Sequence, residues 1–257
     1  MLLENKVAVI YGAGGRIGRA VARTFAREGA EVFLAGRTRA TLDDVADEIR
    51  SAGGTAVTTR LDARDEKDVN AFVDGVAGRA GRVDISFNLI GYGAARKLPK
   101  PSAGLSAAEF ARPVPTAATW SHFLTTGAAA RHMAVRGSGV ILALGGPSPT
   151  SAAGPGGFDV ALDALEGLRR QWATQLDRYG IRVVTLKTGD GDAIASIGET
   201  GAGEAGRGDA GVEETQPLSL TATPADIAAA ATLVASDRAR AMASATVNVS
   251  CGALVDL

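Results

Sequence analysis

Short apolar runs alternate with longer stretches in which apolar residues recur every three or four positions. The first run, Val7 to Tyr11, predicts a strand and is followed by Gly12-Ala13-Gly14-Gly15. Ile17, Ala20, Val21, Thr24 and Phe25 then recur at helical spacing until Gly29. A second strand is expected over residues 31–35, and a helix over 41–52 with Leu42, Val45 and Ile49 on one face. A third strand (56–61), a helix carrying Val69, Phe72, Val73 and Val76, and a fourth strand (83–87) ending at Asn88 follow. Beyond them come a long helix (117–136), a strand (139–144), a second long helix (157–179), a strand (181–187), a helix (224–235) and a last strand (245–249). This order predicts an α/β fold: a single domain over residues 1–257, with a doubly wound parallel sheet of about seven strands and helices on both faces. Ligands are then expected at the carboxyl ends of the strands. Two stretches break the pattern. Residues 91–115, rich in Gly, Pro and small residues, suit a loop over a site. Residues 189–216, rich in glycine and acidic residues, suit a mobile lid or a disordered insertion.

The strand, glycine turn and helix near residue 12 are the order in which a nucleotide pyrophosphate is usually gripped. Gly12, Gly14 and Gly15 can take backbone angles closed to other residues and aim amides at a phosphate from a helix N-terminus. The dinucleotide spacing with glycines one, three and six is not met cleanly, since Ile17 and Arg16 stand where such patterns want glycine. A tight strand-to-helix turn without a ligand is the other reading.

Composition narrows the partners. The 257 residues carry 27 Lys and Arg against 28 Asp and Glu, a net charge of −1, so no strong field recruits nucleic acid or an acidic membrane. Cys251 is the only cysteine and His122 and His132 the only histidines, which leaves no ligand cluster for a zinc site. No apolar run approaches the roughly 18 residues of a membrane span, and the N-terminus enters a strand without the series of regions that marks a signal peptide. A cytoplasmic, metal-free protein acting on a small-molecule substrate is expected.

Taken in order, these features resemble the short-chain dehydrogenase/reductase family, a Rossmann-like single-domain fold, over nearly the whole chain. The family's Thr-Gly-x-x-x-Gly-Ile-Gly turn matches Tyr11 to Gly18, with Tyr11 for threonine and Arg16 for the middle glycine. Its acidic residue after the third strand, which contacts adenine, falls on Asp62 in Leu61-Asp62-Ala63. Its Asn-Asn-Ala-Gly falls on Asn88-Leu89-Ile90-Gly91, and its Pro-Gly after the sixth strand on Thr188-Gly189. The resemblance implies a nicotinamide dinucleotide held by Gly12, Gly14, Gly15, Arg16, Ile17, Gly18, Arg37, Asp62, Ala63, Asn88, Gly91 and Thr188. It also implies a homodimer or homotetramer paired through the two long helices. Where an NAD site ends its second strand with an acidic residue, this chain has Gly36 and then Arg37, and Arg16 could approach the same ribose phosphate. NADP(H) is therefore expected over NAD(H), with both arginines as mere surface charges the competing reading.

The family's usual proton-transfer residues do not register. Aligning its Lys-Ala-Ala-Leu-Glu-Gly-Leu run on Ala164-Leu165-Glu166-Gly167-Leu168 puts Phe158 at the tyrosine and Leu162 at the lysine position. Gly145 or Gly146 then stands for the serine and Ala118 for the asparagine, and no Tyr-x-x-x-Lys occurs anywhere in the chain. Three readings stay open. The chain could reduce a carbonyl, conjugated or imine substrate with another proton donor, for which Tyr92, Ser148, Asp159 and Lys187 are candidates. Each of these also has an ordinary structural reading, and His122, on an amphipathic helix, is read as packed or solvated. Alternatively the fold performs non-redox work such as cyclisation, dehydration or isomerisation in an apolar pocket, or serves as a non-catalytic NADP-binding scaffold.

Overall fold

The computed structural model describes residues 1–90, 114–145, 158–188 and 222–251. The loops expected over 91–115 and 189–216, with Gly91, Tyr92, Gly146 and Ser148, lie wholly or almost wholly outside the described residues.

Seven strands form one parallel sheet: β1 (Val7–Tyr11), β2 (Glu31–Gly36), β3 (Thr55–Arg60), β4 (Ile85–Asn88), β5 (Gly139–Gly145), β6 (Ile181–Thr188) and β7 (Ser244–Val249). Their order is β3-β2-β1-β4-β5-β6-β7. The chain winds outward from β1 in both directions, so its direction of progress reverses between β1 and β4, and a crevice opens at their carboxyl ends. Among the described residues six helices cover the sheet: α1 (Arg16–Arg27), α2 (Arg39–Ser51), α3 (Glu66–Ala80), α4 (Val114–Arg136), α5 (Phe158–Leu176) and α6 (Pro224–Ala235).

The period of two along each strand divides the apolar residues into two cores. Ala8 and Ile10 of β1 face one side, with Val21 and Phe25 of α1, Leu42 and Val45 of α2, and Ala231 and Val234 of α6. Val7, Val9 and Tyr11 face the other, with Val69, Phe72 and Val73 of α3, Leu124, Ala129 and Met133 of α4, and Ala173 of α5. This is the doubly wound α/β arrangement that the alternation predicts.

Several boundaries differ from the sequence expectation by a few residues. β4 begins at Ile85 rather than Val83, because the Asp84 carboxylate, not a backbone carbonyl, accepts the Val7 amide at 2.8 Å. The second long helix stops at Leu176, where the chain tightens into a 3₁₀ turn (Asp177–Tyr179) closed by left-handed Gly180.

Candidate functional site

The glycine turn sits at the mouth of the crevice, and the structure gives separate reasons for its glycines. Gly12 has φ +79°, and a side chain there would come within 3.1 Å of the Leu89 carbonyl oxygen, in the turn leaving β4. Gly18 lies directly on the Gly12 carbonyl and the Ala13 Cα, so α1 approaches β1 backbone to backbone. At Gly14 a side chain would run into the Thr41 hydroxyl of α2. Gly15, by contrast, has room: its added carbon would meet only the Gly12 oxygen, at 3.4 Å.

The start of α1 is left open, as is that of α2, whereas α3 and α6 are closed by side chains. α3 is capped by the Asp65 side chain, which accepts from the Asp68 amide, and α6 by a Thr223–Asp226 capping box. α1 starts at Gly15 with no side-chain cap and no acidic residue in its first turn. Its first amides, and the positive end of its dipole, are therefore available to an anion such as a pyrophosphate. Arg16, at the first helical position, is exposed, and Ile17 packs on Ala222 and Ile227.

Cationic groups gather where β2 and β3 end. Arg37 follows Gly36 directly, and the Arg60 guanidinium donates to the Arg37 carbonyl at 3.1 Å. Asp62 lies beside them and accepts from the Arg64 side chain on both carboxylate oxygens. The Arg64 guanidinium holds the Asp62 carboxyl below the usual carboxylate range, and the charge of Arg37 adds a smaller pull in the same direction. Thus Arg37, Asp62 and Ala63 share one corner, with Ala63 buried in the core beneath it. The Arg64 clamp on Asp62 is a feature that sequence reading missed. An acid and a base two residues apart on a loop is a frequent pattern, and only the fold shows that they meet.

Asn88, the last residue of β4, is fully engaged. Its Oδ1 accepts from the Ile90 amide at 2.9 Å, and its Nδ2 donates to the hydroxyls of Thr125 (3.1 Å) and Ser121 (3.4 Å) on α4. Asn88 thereby straightens the exit of β4 and ties α4 to the sheet edge. Ser121 and Thr125, one helical turn apart and both buried, were not singled out in the sequence, although two hydroxyls at that spacing on an apolar helix face were its available signal.

On the other side of the crevice, Gly145 pairs in register with Lys187. A side chain on Gly145 would meet the Thr185 methyl at 2.9 Å and the Lys187 Cγ at 3.5 Å. The Thr188 hydroxyl donates to the Gly145 carbonyl at 3.4 Å, so Gly145, Lys187 and Thr188 are brought together at the carboxyl ends of β5 and β6. Leu162 is buried on α5. Ala118 lies early in α4, and Phe158 and Asp159 open α5. Tyr11 is sealed in the core, edge-on to Phe72 with centroids 5.7 Å apart. Its hydroxyl has no partner, and burial pushes its pKa upward. The Tyr11 ring is part of this core's packing.

The residues present thus fit a nicotinamide dinucleotide: a glycine cradle and open helix end for its phosphates, and a cationic corner for its ribose. Comparison with known proteins agrees. A family model described as enoyl-(acyl carrier protein) reductase matches residues 12–253. An uncharacterised oxidoreductase of Mycobacterium tuberculosis is 32% identical over 256 residues, covering 97% of this chain and 92% of the relative. With an uncharacterised oxidoreductase of Bacillus subtilis the identity is 44% over 89 residues, and the match spans only 33% of that relative's length. Among solved structures, a 7α-hydroxysteroid dehydrogenase complexed with NADH and 7-oxo glycochenodeoxycholic acid superposes with a TM-score of 0.84 at 29% identity, covering 99% of this chain and 96% of the other. Fold, glycine turn and relatives converge on one assignment: this chain belongs to the short-chain dehydrogenase/reductase family of oxidoreductases.

Proposed function

We propose that the chain is an NADP(H)-dependent reductase of a small organic carbonyl, conjugated or imine substrate, working without the family's usual Asn-Ser-Tyr-Lys set. The observation that carries the cofactor choice is the corner at the ends of β2 and β3, where Gly36 and Arg37 replace an acidic residue and Arg60 braces the Arg37 backbone. A carboxylate there would hold the ribose hydroxyls of NAD, whereas guanidinium groups bind a 2′-phosphate. The solved relative is complexed with NADH, so on this reading the chain and that relative would differ in cofactor.

Bound there, the cofactor would supply the hydride. The chain's part is to hold the pyrophosphate at Gly12 to Gly18, to hold the phosphate-bearing ribose at Arg37 with Arg16, and to shape the crevice beside Asn88 and Thr188. Gly145 and Leu162 supply no ionisable group, so the proton donor lies elsewhere, with Tyr92, Ser148, Asp159 and Lys187 as candidates. The same apolar character favours the second reading, a non-redox enzyme on this fold in which Leu162 is a pocket wall. Pairing of α4 and α5 with another copy would give the homodimer or homotetramer.

Calorimetric titration with NADPH and NADH tests the cofactor, followed by NADPH oxidation against ketones, enones and imines. NADPH should bind the more tightly. In Arg37→Ala its affinity should fall about tenfold or more, while that for NADH changes little, as expected for one lost charge-assisted contact. Equal losses for both would remove Arg37 from the ribose site, and substrate consumption without a change in nicotinamide absorbance would favour the non-redox enzyme.

A further inference from the structure

α4 has one exposed side, marked by Trp120 and Phe123, and one buried side that carries Ser121, His122, Thr125 and Thr126. Of these, His122 is 2% exposed, and its Nε2 has no hydrogen-bond partner among the described residues. Leaving a buried polar atom unpaired costs about 1–3 kcal/mol, so an unpaired ring nitrogen beside a candidate site is a group whose use has to be explained.

Two independent measures give the level of this residue along the sheet. His122, Ala129 and Met133 fall on one stripe of α4, since seven and eleven residues are close to whole numbers of turns. Met133 fills the space that a side chain on Gly139, the first residue of β5, would need, so the stripe faces β5. α4 crosses from the carboxyl end of β4 to the start of β5 and so runs antiparallel to both. Stepping back eleven residues from Met133 covers about 16 Å of helix, the length of about five strand residues, and this places His122 abreast of Leu144. The second measure is Asn88, which pairs with Ala143 across the sheet and donates to Ser121 and Thr125 on either side of His122. Both put His122 level with Ala143 to Gly145, at the carboxyl edge of the sheet, where the resemblance places the reacting carbonyl and where Gly145 and Leu162 offer no donor.

We propose that His122 is a catalytic hydrogen-bond donor of this enzyme, its Nε2–H binding the oxygen of the substrate carbonyl. The inference rests on the reductase reading above and deepens it. In the step, the carbonyl carbon accepts a hydride from the reduced nicotinamide, and the π electron pair moves onto oxygen. The negative oxygen is held by Nε2–H and takes its proton from a solvent water, which becomes hydroxide, in place of the side-chain donors considered above; the imidazole ends as it began. Burial keeps this ring neutral, and a neutral donor held in place by the fold stabilises developing charge without reorganising.

The test is steady-state reduction of cyclohexanone by NADPH, a ring ketone like the steroid in the solved relative. Wild type is compared with His122→Phe, which removes the donor, and His122→Gln, whose amide nitrogen can stand in for Nε2. His122→Phe should lower kcat about 100-fold or more, with KM for NADPH changed by less than about threefold, while His122→Gln stays within about tenfold of wild type. His122→Met serves the same purpose should the phenylalanine variant not fold. A role in packing alone would not move the ¹³C resonance of carbonyl-labelled cyclohexanone in the complex with NADP⁺. That resonance should shift downfield with wild type and His122→Gln and stay at its free position with His122→Phe. A folded donor-less variant that keeps wild-type kcat, or a carbonyl resonance that shifts regardless of residue 122, overturns the assignment of His122 alone. A wild-type protein that oxidises no NADPH with any ketone, enone or imine overturns the reductase reading, and this inference with it.

Discussion

Burying an imidazole lowers its proton affinity, and in this chain burial pushes the pKa of His122 from 6.5 down to about 4. The sign of the consequence follows from linkage. The unfolded chain binds a proton at this ring below pH 6.5, whereas the folded chain does so only below about pH 4. The stability that His122 contributes is therefore fully present above pH 6.5 and is lost as the pH falls from there toward 4. A gap of that size corresponds to on the order of 3 kcal/mol. Urea-unfolding free energies measured at intervals across this window should fall more steeply for wild type than for His122→Gln, which has no ring to protonate. Parallel curves would show that the histidine is reached by water and titrates normally in the folded protein. Arg64 shows the opposite case at an exposed position. Its pairing with Asp62 shifts both groups toward their charged forms, yet solvent screens the pair, so its use is in fixing the loop after β3 and not in stability.

At the scale of elements, three strands meet at Asp84, a buried carboxylate just ahead of β4. Its Oδ2 accepts from the Val7 amide of β1 at 2.8 Å and from the Arg82 guanidinium at 2.6 Å, and its carbonyl accepts from the Val140 amide of β5 at 2.8 Å. Asp84→Ala would leave the Val7 amide and the partly buried Arg82 without their acceptor, at a cost of about 3 kcal/mol. Thermal and urea unfolding should show that loss with the sheet still formed by circular dichroism; a change below about 0.5 kcal/mol would mean that water replaces the carboxylate.

Legibility followed the same division between local and distant causes. The α6 boundaries could be read from Pro224 at the first turn and the apolar run after it, and the Gly12 turn from its glycines, because those signals act within a few residues. The start of β4 could not, since the bond that delays it joins Asp84 to a residue 77 positions away. At the candidate site, the glycine turn, Arg37 and Asp62 stand at the carboxyl ends of β1, β2 and β3, which the order of strands and turns already implied. The level of His122 against the end of β5 depends on how α4 is seated on the sheet, which the Asn88 bonds to Ser121 and Thr125 set and no local pattern encodes.

For the molecule as a whole, the two cores account for one side of α4 and α5 but leave the other covered by little. Trp120 and Phe123 stay 46% and 48% exposed, stacked with centroids 5.8 Å apart, and Phe123 stacks in turn on Trp172 of α5 at 6.3 Å. A ladder of three aromatic rings across two adjacent helices is apolar area that a lone protein gains by covering. Pairing with the same ladder of a second copy would bury it symmetrically, because a two-fold interface brings a patch against itself. The Trp120 indole also donates to the Arg64 carbonyl at 3.2 Å, so this face is bonded to the loop that carries Asp62. Phe123→Asp would set two like charges close to the axis of such a pair and should dissociate it, which sedimentation velocity reads directly as a fall to the monomer mass. The monomer should keep its fold, since Phe123 belongs to neither core. If NADPH affinity drops on dissociation by more than about threefold, the Trp120 bond to the Arg64 loop transmits assembly to the cofactor corner. An unchanged sedimentation coefficient would mean that the aromatic ladder is not where two copies meet.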